Sequence, residues 1–410
     1  MSKSSCRFCQ APLSAKFVDL GLSPLCQNAI RLEDAEKPEP FYPLTALVCE
    51  ACKLVQLDEF VSPSDIFTEY AYFSSYSDSL VAHAKKYVEN ITVRLGLTDK
   101  DLAVEIASND GYLLQHFLPL GIPVTGIEPA RNVGAVAREK GIPVIHEFMG
   151  VETATQFLKE HGPASLLIGN NVLAHVPDIN DFVRGMQILL AERGTITMEF
   201  PHLLRLIEGN QFDTIYHEHF SYLSLLAVER IFAAHGLTIF DIDELKIHGG
   251  SIRIYAQHTN TKPALTPALL KVREDEATAG FDSMEAYSDF GERVKLTKNR
   301  ILSKLIELKS RGKTIAGYGA PGKGNTLLNY CGIRTDYLDY TVDRNPYKQG
   351  TLLPGSRIPV YPVETIAETK PDYIFILPWN LTREITGQLG YIREWGGKFI
   401  VPIPEVSIID

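Results

Sequence analysis

Ala103-Val-Glu-Ile-Ala-Ser-Asn-Asp-Gly111 reads as a buried strand running into a tight turn, and Val124-Thr-Gly-Ile-Glu128 as a second strand tipped by a carboxylate 17 residues after Gly111. Between them, residues 112–118 are expected to open a helix. A turn that lets a ligand approach, followed by an acid at the tip of strand two, is the logic of a nucleotide site, the acid accepting hydrogen bonds from ribose hydroxyls. Working outward, further strands are predicted at 143–146, 166–170 and 195–200, and a closing pair at 236–242 and 251–257. Alternating strands and helices imply a largely parallel α/β sheet with ligands at the strand carboxyl ends. The first turn lacks G-x-G-x-x-G and presents Glu105, Ser108, Asn109, Asp110 and one glycine. A pyrophosphate suits it poorly. A cationic ligand without phosphates suits it well, and S-adenosylmethionine, with its sulfonium and amino groups, is such a ligand.

A second α/β unit follows a charged, helical connector (predicted helices 265–277 and 290–310). Residues 313–317 read as a strand, and Gly317-Tyr-Gly319-Ala-Pro-Gly322-Lys-Gly324 as a turn and helix start. A strand at 337–342 ends in Asp343, 21 residues after Gly322. Strand, G-x-G-x-x-G, helix and acid match the dinucleotide fingerprint. The alternative function is therefore an NAD-dependent oxidoreductase or epimerase using Gly317, Gly319, Gly322 and Asp343. Lys323, Asn325 and Thr326 at a helix N-terminus could equally hold a substrate phosphate.

Residues 211–222 carry the densest proton-handling chemistry: Gln-Phe-Asp-Thr-Ile-Tyr216-His217-Glu218-His219-Phe-Ser-Tyr. Histidine starts with a pKa suited to a general base, and a neighbouring carboxylate can orient and strengthen it. If helical, Tyr216 and His219 share a face; if extended, His217 and His219 do. His217, Glu218 and His219 would also be a conceivable metal set. The aromatic group Tyr70, Tyr72, Phe73 and Tyr76 reads either as packing between domains or as a lid. His175 and His248 reside in further candidate segments, and Arg253 is left open.

At the N-terminus, Cys6-Arg-Phe-Cys9 and Cys49-Glu-Ala-Cys52 are two C-x-x-C knuckles separated by 39 residues of turn-rich sequence. Four thiolates complete a closed tetrahedral site, so a structural zinc is expected over redox thiols, and a segment with little core of its own gains most from such a staple. Cys26 and Cys331 are expected to be bystanders. The chain has 410 residues, a net charge of −10, 45% hydrophobic and 22% charged residues, and no Lys/Arg run. That composition points away from nucleic acid, and no stretch reaches membrane-span length. With no apolar signal core, a cytoplasmic protein is expected. No coiled-coil repeat stands out, and a monomer is the working expectation.

Taken in order, the chain resembles the three-domain sugar-nucleotide C-methyltransferases, which methylate C-3 of 4-keto deoxysugars. The resemblance spans roughly the whole sequence. It rests on the paired knuckles and on Tyr72-Phe-Ser-Ser-Tyr-Ser-Asp-Ser79, Glu105–Gly111, Asn170-Asn-Val-Leu-Ala-His-Val176, Tyr216–His219, His248-Gly-Gly-Ser-Ile-Arg253 and Gly317–Thr326. It implies a zinc domain at 1–65, a class I Rossmann-like methyltransferase domain at 66–260, a connector at 261–312 and a Rossmann-like domain at 313–410 lining the substrate cleft. It further implies His219 as base, with Tyr216, Glu218 and His175 placing substrate or supporting that base. The methyl donor would be held by Glu105, Ser108, Asn109, Gly111, Glu128, Asn170 and Tyr76, and a nucleotide-linked 4-keto sugar by Lys323, Asn325, Thr326 and His248. The metal ligands would be Cys6, Cys9, Cys49 and Cys52.

Overall fold

The computed structural model describes residues 5–62 and 73–410. Its strands form three sheets. The central one contains seven strands, β1 to β7 in chain order: Ala103–Ile106, Val124–Ile127, Val144–Ile145, Ala164–Asn170, Leu190–Pro201, Leu237–Leu245 and Ser251–His258. Their spatial order is β3-β2-β1-β4-β5-β7-β6. Strands β1 to β5 are parallel, while β7 is antiparallel to both of its neighbours. The order reverses at β1, which makes the crevice beyond the carboxyl ends of β1 and β4 the place for a ligand. β1 is buried on both faces, as a central parallel strand must be.

Helix Asp78–Leu95 covers this sheet with Ala84, Tyr87, Val88 and Ile91, an i, i+3, i+4, i+7 stripe. The Ser77 hydroxyl caps it by accepting from the Leu80 N–H. Tyr70 and Tyr72 fall outside the described residues. The helix expected at 112–118 is instead two 3-10 turns, Leu114–His116 and Leu118–Leu120. Pro119 and a left-handed Gly121 close that segment before a regular helix can propagate.

The N-terminal sheet joins Ala15–Ser23, Tyr42–Val48 and Val55–Leu57 to a borrowed strand, Ser221–Tyr222. The C-terminal sheet is built on parallel strands Ile315–Tyr318, Thr341–Val342, Pro359–Tyr361, Tyr373–Ile376 and Lys398–Val401. It borrows Ile30–Arg31, which pairs with Thr351–Leu352. The outer sheets thus exchange strands with sequence-distant segments. Helix Phe290–Ser310 bridges them, its buried stripe packing into the same apolar cluster as Phe17, Leu44 and Leu327.

Candidate active site

The four knuckle sulfurs converge within 4.8 Å of one another, Cys6 Sγ to Cys52 Sγ and Cys9 Sγ to Cys49 Sγ each at 3.5 Å. A tetrahedron with zinc–sulfur bonds of about 2.3 Å needs sulfur separations of about 3.8 Å. The set fits zinc and leaves no protein-free corner. Among the described residues this is the group of Cys, His, Asp and Glu side chains close enough to hold a metal. The knuckle is keyed to the central unit. Arg7 donates to the carbonyls of Pro177 (2.7 Å) and Leu57, its guanidinium lies 5.4 Å from the Phe220 ring, and Asn180 donates to the carbonyls of Arg7 and Phe8.

Phe220 ends the Tyr-His-Glu-His stretch. That stretch is neither helix nor strand but a β-turn, closed by the His219 N–H donating to the Tyr216 carbonyl at 2.9 Å. The turn brings the Tyr216 and His219 rings to 4.1 Å between centroids, and His175 meets His219 edge-on at 4.7 Å. His219 Nδ1 lies 3.0 Å from the Thr214 carbonyl oxygen. A carbonyl can only accept, so Nδ1 carries the proton and the lone pair resides on Nε2. Burial, with His175 and His248 nearby, pushes the His219 pKa well below the usual histidine range, and burial lowers His175 to about 4. Both imidazoles are neutral at pH 7. Although hemmed in by protein, His175, Tyr216, His219, His248 and Lys323 keep solvent access, as residues lining a cleft do.

The other two members of the motif turn away from the base. His217 Nε2 donates to the Pro43 carbonyl, 3.1 Å away on the N-terminal strand Tyr42–Val48. Glu218 was expected to support the base, yet its carboxyl faces Cys26, whose thiol lies 3.5 Å from Oε1. Burial pushes the Glu218 carboxyl up to about 7. Cys26 is therefore no bystander, whereas Cys331 is packed in the core. The divergence of His217, Glu218 and His219 also removes them as a metal set.

At the β1 edge, Asn109 and Gly111 adopt left-handed backbone conformations, φ 51° and 75°. A Cβ on Gly111 would stand 2.5 Å from Ile142 Cδ1, so only glycine fits. Glu105 is 1% exposed, and burial with Glu128 and Asp110 close by raises its pKa well above the carboxylate range. Glu105, Asp110 and Glu128 surround the turn, with Glu105 kept in its neutral form by burial and by its acidic neighbours. Glu128 stands at the tip of β2, its two oxygens accepting from the Asn109 and Ala130 N–H groups at 2.9 and 2.8 Å. Asn170, at the end of β4, lies 3.5 Å from the Tyr112 hydroxyl. One expectation needs correction. Ser108 is fully buried with its hydroxyl against Gly126, and so supports the turn from within. Tyr76 is 63% exposed and stacked 6.4 Å from Tyr347, next to Ser74 and Ser75, whose N–H groups donate to Asn109 Oδ1 and Asp110 Oδ2.

In the C-terminal unit, Lys323 lies 4.7 Å above the Trp379 ring, donating to the Asn380 side-chain oxygen Oδ1, and burial lowers its pKa to about 8. His248 reaches Asn171 at 3.4 Å. Asn325 and Thr326 are each 1% exposed. Thr326 is corrected from a ligand contact to an internal brace, donating to the Ile215 carbonyl at 3.1 Å. The glycine-rich loop is likewise filled by protein: a Cβ on Gly319 would meet Pro378 at 2.6 Å, and one on Gly322 would meet Cys26 Sγ at 2.9 Å. Asp343 spends its carboxylate on the N–H groups of Ala320 and Asn345. Each of its oxygens accepts from a backbone N–H, as the oxygens of Glu128 do.

Three family models match in chain order: a zinc binding domain at 6–67, a methyltransferase domain at 81–242 and the C-methyltransferase C-terminal domain at 246–404. C-methyltransferase NovU of Streptomyces niveus is 38% identical over 404 residues, covering 98% of this chain and 96% of its own. The chain belongs to the C-methyltransferase family. This C-methyltransferase depends on S-adenosylmethionine and carries a zinc site at Cys6, Cys9, Cys49 and Cys52. Its C-terminal unit is thereby that of a C-methyltransferase, and the NAD-dependent alternative is set aside. Among solved structures, an S-adenosylmethionine-dependent methyltransferase of Anabaena variabilis is 16% identical with a TM-score of 0.35, over 42% of this chain and 83% of its own. Magnesium protoporphyrin IX methyltransferase of Synechocystis, with S-adenosylmethionine bound, is 14% identical with a TM-score of 0.33, over 44% and 81%. No helix among the described residues is long and apolar enough to cross a membrane.

Thr214, Asp213, Trp379 and Cys26 were missed by sequence reasoning. Thr214 acts through its backbone and carries no side-chain signal; Asp213 adjoined the motif and could have been included.

Proposed function

We propose that the enzyme methylates C-3 of a nucleotide-linked 4-keto deoxysugar, with His219 as the base. The supporting observation is the His219 geometry: Nδ1–H anchored on the Thr214 carbonyl, Nε2 carrying the lone pair, and Tyr216 and His175 flanking it. S-adenosylmethionine supplies an electrophilic methyl on a sulfonium, held on this reading at the Gly111 turn by Glu105, Asn109, Glu128 and Asn170. A 4-keto group acidifies the C-3 hydrogen. Nε2 of His219 takes that proton, the C–H electron pair becomes the enolate, and its C-3 forms the new carbon–carbon bond as the sulfur–methyl bond breaks. Tyr216 donates toward the developing oxyanion, a donor of this kind contributing about 10²–10³ in rate, while neutral His175, bonded to the Glu218 backbone carbonyl, packs edge-on against the base. Lys323 and His248 line the substrate side of the cleft, with Asn325 behind them.

Solvent exchange tests the first step. Incubated in D2O with a 4-keto-6-deoxyhexose on deoxythymidine diphosphate and no methyl donor, the wild type should exchange the C-3 hydrogen and His219→Asn should not. Near-normal turnover by folded H219N would sink the proposal.

A further inference from the structure

The turn bearing His219 is gripped from both sides. On the zinc side, the Leu57 N–H donates to the Phe220 carbonyl at 3.0 Å, and Ser221 and Tyr222 pair with Gln56 and Val55. On the other side, two grips come from the C-terminal unit. The Trp379 indole N–H donates to Asp213 Oδ2 at 2.7 Å, and the Thr326 hydroxyl donates to the Ile215 carbonyl. Asp213 and Ile215 flank Thr214, whose carbonyl fixes the His219 tautomer. Asp213 is fully buried, an expensive place for a carboxylate unless its position matters.

We propose that Trp379 and Asp213 are positioning residues for His219, aiming the Thr214 carbonyl at Nδ1 so that the lone pair stays on Nε2 toward the substrate. The inference rests on His219 being the base. It gives the C-terminal unit a second task beyond lining the cleft: it completes the catalytic geometry of the methyltransferase unit. Rotating the 213–215 peptides by a fraction of an ångström would free Nδ1 and admit the other tautomer, which holds its proton where the lone pair is needed. Misplacement on an ångström scale costs about 10²-fold in rate.

Trp379→Phe is the informative variant, since it keeps an aromatic ring beneath the Lys323 ammonium while removing the N–H that Asp213 accepts from. In full-length, zinc-loaded enzyme, with the same sugar nucleotide as probe, kcat and C-3 exchange should fall together by about 10- to 100-fold. KM and S-adenosylmethionine affinity should stay within twofold. In ¹⁵N-histidine spectra without substrate, the His219 signal, assigned by its loss in H219N, should move from the Nδ1–H tautomer to a mixture. An unchanged His219 signal with kcat within twofold overturns the proposal, as does a parallel loss of cofactor affinity, which would mark a general structural role. Should W379F not fold, Thr326→Val removes the second brace and is read the same way. H219N separates the two failures. Normal turnover there overturns the base itself, whereas inactive H219N beside fully active W379F overturns the positioning alone.

Discussion

Replacing Glu218 by Gln should stabilise the enzyme in a strictly pH-dependent way. The Glu218 carboxyl is 4% exposed, and burial raises its pKa from an ordinary 4.5 to about 7, with the Cys26 thiol and Lys348 partly opposing the rise. In the unfolded chain the group loses its proton near 4.5. Between pH 4.5 and 7 the folded protein therefore holds a proton that the unfolded chain has released. Wild-type stability must fall through that window relative to a variant with nothing to titrate. The slope is about 1.4 kcal/mol per pH unit, and the full gap amounts to about 3 kcal/mol, level above pH 7. The glutamine amide oxygen can still accept from Cys26, so the contact itself survives. Urea unfolding of both zinc-loaded proteins at pH 5, 6, 7 and 8, followed by tryptophan fluorescence, measures the difference, in which every other titrating group cancels. A difference that stays flat over that range would refute the account of Glu218 as a buried, easily protonated acid.

Metal analysis should give one zinc per chain. Its removal by chelator, or Cys49→Ser, should cut turnover more than tenfold by loosening the strand that follows His219, while S-adenosylmethionine affinity stays within about threefold; full turnover without zinc would contradict this. Gly111→Ala forces a methyl group onto Ile142 and a left-handed φ on alanine, so stability should drop by about 1–3 kcal/mol and cofactor affinity at least tenfold by calorimetry. In the Glu218→Gln background, which removes the titration beside His219 in the chain, kcat/KM should run level from pH 7 to 6.5, below the Lys323 titration near 8. It should fall only in more acidic buffer, because the His219 pKa is depressed and its neutral form is the base. An acid limb centred above 6.5 would count against that assignment.

The central sheet was legible because its inner strands are apolar and buried on both faces; all seven strands appear within a few residues of their expected places. The zinc knuckles were legible because metal spacing is local. What sequence could not show was direction. Glu218 adjoins His219 in the chain, but a β-turn sends neighbouring side chains to different sides, one to Cys26 and one to the cleft. The 112–118 segment kept an apolar pattern that helix and 3-10 turn share. The glycine-rich 317–324 loop matched a dinucleotide pattern, but whether the space beside a glycine is open or filled depends on residues such as Cys26 and Pro378, far away in sequence. Long-range partners decided each of these points.

The strand exchange sets a timetable for biosynthesis. Ile30–Arg31 must wait for Thr351–Leu352, 321 residues later, which at about 5–20 residues per second is roughly 15–60 s of translation. Until then the N-terminal segment has an unclaimed edge and the His219 turn lacks its Trp379 and Thr326 braces. On the proposal that Trp379 aims His219, alignment of the base waits for residues near 379 to leave the ribosome.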